Sequence, residues 1–146
     1  MKLSMKLVPR DHRPAKQSLP CGKLPITIWY NNLCPVCNTG ITWQKRLMMP
    51  AVKAGDIVFE DINQQPAALS HRGVDVDAIR KRLHATAADG ELLVGADVVI
   101  AVLRLTPWQS WLGRLLTIPA LRKLSHWFYD SFAEWLYAWN RRKGRW

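Results

Sequence analysis

Cys34-Pro35-Val36-Cys37 is the stretch of this 146-residue chain whose residue types and spacing point most directly to chemistry. A thiol at the N-terminus of a helix faces free N–H groups and the positive end of the dipole, which favour thiolate over thiol. A thiolate attacks a disulfide, and a second sulfur within one turn can then resolve the mixed disulfide. The expected roles are Cys34 as an exposed nucleophile and Cys37 as a more buried resolving thiol. Covalent haem attachment needs His directly after the second cysteine, and Asn38 stands there. Structural zinc needs four ligands, and there is no second cysteine pair. Cys21 with His12 or with His71, His84 or His126 would have to finish the set. A pair of inert buried cysteines is the other competitor.

The elements around the pair favour redox chemistry. Ile26-Thr27-Ile28-Trp29-Tyr30 is β-branched and aromatic and stops at Asn31-Asn32, the pattern of a buried strand ending in a turn. Pro35 suits the first turn of a helix, and Ile41, Gln44, Lys45 and Met48 keep helical spacing up to Pro50. Asp56 to Ile62 has strand composition, and a second strand parallel to the first completes a β-α-β unit. Two helical pieces, Gln65 to Arg72 and Val76 to Lys81, flank Gly73. Leu83 to Ala87 and Glu91 to Val94 around Asp89-Gly90 predict an antiparallel hairpin, and Ala96 to Leu105 a helix. Trp108, Trp111, Leu112, Leu115 and Leu116 follow helical spacing. After Pro119 so do Leu121, Leu124, Phe128, Phe132, Trp135 and Trp139. The expected organisation is a flexible basic leader over residues 1–24, an α/β core over 25–106, and Trp-rich basic helices over 107–146 that pack their apolar stripe on the sheet.

Composition bounds the function. With 49% apolar and 22% charged residues the chain fits one globular domain that needs no disulfide to fold. The net charge of +10 divides into +5 for residues 1–25, −1 for 26–103 and +6 for 104–146, so the ends are basic and the centre neutral. That distribution argues against a basic groove built from the core and for peripheral electrostatics, whether solubility, an anionic membrane surface or loose nucleic-acid contact, and no recognisable module for sequence-specific nucleic-acid binding is evident. Interfacial helices mix Trp with Arg and Lys as the last third does, so peripheral membrane contact is a possible use of these helices. No secretory or membrane-spanning segment is evident, and an odd number of cysteines argues against a disulfide framework; the expected location is the cytoplasm. Asp61 is expected in a turn before a proton relay, Trp29 and Tyr30 in the core, Cys21 as an idle thiol, and His71, His84 and His126 in structural or solvated roles.

With Tyr30-Asn31-Asn32-Leu33 running into Cys34-Pro35-Val36-Cys37, followed by Phe59-Glu60-Asp61-Ile62, Asp89-Gly90 and Gly95-Ala96-Asp97, the chain resembles the DCC family of thiol-disulfide oxidoreductase-like proteins over residues 25–143. The resemblance implies a thioredoxin-like fold: a β-α-β unit plus a β-hairpin in one sheet, with amphipathic C-terminal helices. It also implies redox-active Cys34 and Cys37, a protein or small-molecule thiol or disulfide as substrate, and no metal or organic cofactor. The family usually carries Asp where this chain has Asn31, so no acid/base role carries over to that position. Leu83 to Ala87 also lacks the proline that thioredoxins place before the strand facing their site. The rival expectation is a non-catalytic adaptor on the same fold, docking through its C-terminal helices to a membrane or a protein.

Overall fold

Strand β1 (Ile26–Tyr30) alternates buried and half-buried residues, so its two faces serve two different layers. The computed structural model describes residues 24–146, and all of the leader but its last residue, with His12 and Cys21, lies outside the described residues. β1 pairs in parallel with β2 (Ile57–Asp61), Ile28 opposite Phe59, and antiparallel with β3 (His84–Thr86), Ile28 opposite Ala85. β3 continues antiparallel into β4 (Leu92–Val94), and the four strands stand in the order β2-β1-β3-β4. The connection from β1 to β2 passes through α1 (Pro35–Leu47) and α2 (Met49–Ala54), the crossover that a parallel pair requires. This mixed α/β arrangement is the thioredoxin-like fold expected from the sequence.

Ile26, Ile28, Ala85 and Leu93 face one side of the sheet, where Met48, Val98 and Ala101 complete the main core. Ile62, Leu69 and Ile79 form a smaller cluster with Trp29 and Leu92 on the other side. The second cluster lies under the loop after β2 and α3 (Val76–Lys81), whose N-cap is the Asp75 carboxylate accepting from Ala78 N at 2.8 Å. Two boundaries differ from expectation. Pro50 does not end the helical segment, because it occupies the first turn of α2, where a missing N–H costs nothing. Residues 65–72 form turns and one 3-10 segment, Ser70–Arg72, in place of a helix.

α4 (Ala96–Leu105) starts at Gly95, whose φ is 65° and whose missing Cβ would lie 3.3 Å from the Tyr129 ring. α5 (Ser110–Leu115) approaches α4 so closely that a Cβ on Gly113 would come within 2.6 Å of the Arg104 backbone nitrogen. The longest element is α6 (Pro119–Arg142), and its position is held by polar ties to the core. Asp97 accepts both Arg122 guanidinium N–H groups at 3.0 Å and also meets His126 Nε2 at 3.0 Å. The Tyr129 hydroxyl accepts from Leu83 N at 2.9 Å, and Arg82 reaches Asp130 at 2.9 Å.

Much of the apolar stripe expected to cover the sheet is turned outward, while Leu112, Leu116, Leu121 and Trp139 are half-buried. Trp127 (62%), Phe128 (60%) and Trp135 (60%) are exposed, as are Leu124, Phe132, Trp108 and Trp111. α6 instead buries Ala133, Leu136 and Asn140, along the neighbouring face of the helix. The expectation holds only for part of the stripe, because the longest aromatic series on an amphipathic helix need not be the one facing the core. Small Ala133 and the polar anchors Arg122, Tyr129 and Asn140 set the rotation.

Candidate active site

The turn out of β1 places Cys34 one residue before α1. Its backbone is extended (φ −85°, ψ 114°), and its Sγ accepts from Cys37 N at 3.3 Å, so the sulfur itself is the N-cap of the helix. The sequence produces this locally: Asn31 Oδ1 accepts from Leu33 N at 3.1 Å, Cys34 N reaches Asn31 O at 3.3 Å, and Pro35 fixes the first helical residue. Asn38 N donates to Cys34 O at 2.9 Å and starts the helical ladder. The loop is braced from β2. Asp61 Oδ1 accepts from Asn32 N at 3.2 Å and Asn63 Nδ2 at 2.8 Å, and Asn63 Nδ2 also reaches Asn31 Oδ1 at 2.7 Å. Arg80 Nε and Nη2 close this network on Asn63 Oδ1 at 3.2 and 3.0 Å. Asp61 therefore serves the turn.

From the far end of the chain, Asn140 on α6 donates through Nδ2 to Cys34 Sγ at 3.3 Å and to Leu136 O at 3.0 Å. Arg145 Nη1 donates to Asn140 Oδ1 at 3.1 Å and orients the amide. Asn140 is buried, and sequence reasoning missed it. The signal was a lone Asn on the face of α6 that carries Ala133 and Leu136.

These donors decide the protonation of the pair. The Cys37 side chain is the largest influence on Cys34. With the Cys37, Asn140 and Val36 hydrogen bonds it outweighs burial and lowers the thiol from its ordinary 9.0 to about 6. Cys37 moves the opposite way, because its proton is held by Cys34, it is buried, and a second negative charge beside Cys34 is repelled. At neutral pH the centre carries one thiolate, Cys34, and one thiol, Cys37. Both cysteines are free. The expected exposure is reversed: Cys34 is buried at 1% exposure and Cys37 is half-buried, because α6 lies over the first sulfur.

Trp29 and Tyr30 belong to packing, Trp29 with its Nε1 on Thr86 Oγ1 at 3.3 Å and Tyr30 buried. His84 is buried with Nδ1 on Arg82 O at 2.9 Å, His126 pairs with Asp97, and His71 is exposed. Among the described residues no three His, Cys, Asp or Glu side chains converge as metal ligands would.

No curated protein and no solved structure matches the chain. The family model described as DCC1-like thiol-disulfide oxidoreductase matches residues 28–142, a span that runs from β1 and the Cys34–Cys37 turn to the last residue of α6. By that match across most of its length, the chain belongs to the DCC1-like thiol-disulfide oxidoreductase family.

Proposed function

We propose that Cys34 and Cys37 are the catalytic dithiol of a thiol-disulfide exchange centre. The Cys34 thiolate attacks one sulfur of a substrate disulfide, forms a mixed disulfide and expels the other sulfur as a thiolate. Cys37, on losing its proton to the departing thiolate, attacks Cys34 Sγ, closes the Cys34–Cys37 disulfide and releases the second substrate sulfur as a thiolate, which takes a proton from water. The observation that carries this reading is the Cys34 sulfur at the α1 N-cap, with the Cys37 N–H and the Asn140 amide donating to it. A cytoplasmic setting, where a reducing pool would return the disulfide to dithiol, belongs to the same proposal.

Alkylation of the reduced protein as a function of pH, with mass mapping of the labelled cysteine, tests it. Expected is a Cys34 midpoint near 6, with Cys37 unlabelled until far higher pH, and a reversible Cys34–Cys37 disulfide. A Cys34 midpoint in the ordinary thiol range, with no reversible disulfide, would leave the adaptor as the reading that stands.

The outward aromatic face supports a second proposal: α5 and α6 rest on an anionic membrane surface while the exchange centre works. No helix among the described residues is long and apolar enough to cross a membrane, so contact would be peripheral. Trp127, Phe128 and Trp135 are the side chains that would enter the interface, and the +6 of residues 104–146 supplies the attraction to anionic headgroups. Flotation with anionic liposomes tests this reading.

A further inference from the structure

Cys34 has almost no contact with bulk solvent, yet it stands on the wall of a cavity of about 380 Å³ bounded by α1, α4 and α6 over the Ile28 face of the sheet. Ile28, Ile41, Phe59, Val102 and Leu136 give that lining its character, and Cys37 stands beside Cys34 on it. The volume falls within the roughly 300–1,000 Å³ of small-molecule sites. Resting on the exchange reading above, we infer that this cavity takes a low-molecular-weight disulfide with apolar, uncharged substituents and presents it to Cys34.

Three observations select that class. A disulfide of a folded protein brings two main chains, whose N–H and C=O groups would lose water against this lining without gaining partners. A charged disulfide finds little counter-charge in the cationic stretch on the rim among the described residues. Arg82 is paired with Asp130 and Glu134 and Lys81 with Glu134, and Arg80, which keeps its charge, has its Nε and Nη2 committed to the Asn63 amide oxygen. An apolar substituent loses little on entry and leaves water behind. Asn31 stands on the same lining with its amide nitrogen buried and unpartnered, a donor for one acceptor on an otherwise apolar molecule.

The chemistry balances without another reactant. The reduced centre, Cys34 thiolate and Cys37 thiol, gives two electrons to R–S–S–R. The S–S bond of the substrate breaks and the Cys34–Cys37 bond forms. One product leaves as R–SH with the Cys37 proton, and the other as R–S⁻, which takes a proton from water.

The test is single-turnover oxidation of the reduced full-length protein by diethyl, dipropyl and dibutyl disulfide, bis(2-hydroxyethyl) disulfide, glutathione disulfide and the disulfides of insulin. Each rate is divided by that of a simple alkyl thiol with the same reagent. The expected ratio rises by up to about 4-fold per methylene entering the cavity, the equivalent of about 0.8 kcal/mol, and glutathione disulfide and insulin lie lowest. Gly40 is an exposed member of the cavity lining with nothing within 4 Å of where its Cβ would be, so Gly40→Leu meets no clash and is expected to fold and to narrow the cavity entrance. It should flatten the series. Its Cys34 alkylation midpoint, read alongside, tells a filled cavity from a disturbed centre. A flat series in the wild-type protein, a faster reaction with insulin or glutathione disulfide, or a slope that survives Gly40→Leu overturns the inference while leaving exchange intact. No reaction with any of the six reagents overturns the exchange reading itself.

Discussion

Four hydrogen bonds to one sulfur separate the Cys34 centre from an ordinary pair of neighbouring cysteines. Three of them, from the Cys37 side chain and the Cys37 and Val36 backbones, were legible in a tetrapeptide at a strand-to-helix turn. The fourth, from Asn140, was not, because nothing local announces a contact across 106 positions. Asn140→Leu is expected to raise the Cys34 alkylation midpoint by about one pH unit, since a hydrogen bond to a charged group contributes on the order of 1.5–3 kcal/mol and a sulfur acceptor lies at the weak end. An unchanged midpoint would show that the amide only fills space. Cys37→Ser is expected to stop after the first step and accumulate a one-to-one mixed disulfide on Cys34, visible by intact mass, where the wild-type protein accumulates none. The lowered Cys34 value also has a stability consequence. A thiol whose folded value lies near 6, against 9.0 unfolded, contributes stability that is complete above pH 9 and is lost as pH falls through about 6. Urea unfolding of the reduced protein should therefore show stability rising over that window relative to Cys34→Ala, and parallel curves for the two proteins would contradict the assignment.

At the scale of elements, what was legible depended on whether the signal was local. The parallel β1–β2 pair, the Asp89-Gly90 hairpin and α4 all follow from composition and turn chemistry within a few residues. The rotation of α6 does not, because it is set by Asp97, whose carboxylate is gripped by Arg122 and His126 from the next layer and is largely shielded from water. Removing it strands a poorly solvated guanidinium, so Asp97→Ala is expected to cost about 3 kcal/mol in denaturant unfolding. A loss below about 0.5 kcal/mol, the scale of a surface pair, would mean that packing alone positions α6. Residues 65–72 read as helical because Ala67, Ala68 and Leu69 are good formers, but Leu69 has to reach Ile62 and Ile79, and a 3-10 turn delivers it there. His84 marks the middle of the sheet in a different way. Burial lowers its value, against the Nδ1 bond to Arg82 O, which works the other way, so acidification below the ordinary 6.5 favours the unfolded chain, which takes up the proton more readily.

For the molecule as a whole, the unusual quantity is how much aromatic surface it leaves in water on one side while carrying a large positive charge. Leu124, Trp127, Phe128, Phe132 and Trp135 follow one another along a helix that is about 36 Å long at 1.5 Å per residue. Phe132 also lines the cavity, so the face and the approach to Cys34 are continuous. A membrane surface would accept the stripe and the charge together, whereas a second copy of a +10 chain would bring like charge against like. Vesicles containing anionic lipid are therefore expected to carry the protein on flotation and neutral vesicles to carry far less, with binding falling as salt shortens the Debye length below about 10 Å. Trp127→Ser, Phe128→Ser and Trp135→Ser together remove three rings that are each more than half exposed. At about 1 kcal/mol for each partly inserted ring, the triple variant is expected to bind roughly 100-fold more weakly while its Cys34 alkylation midpoint stays where it was. Failure of the wild-type protein to float, or sedimentation as a dimer that the triple variant converts to a monomer, would assign the stripe to self-association and end the membrane reading.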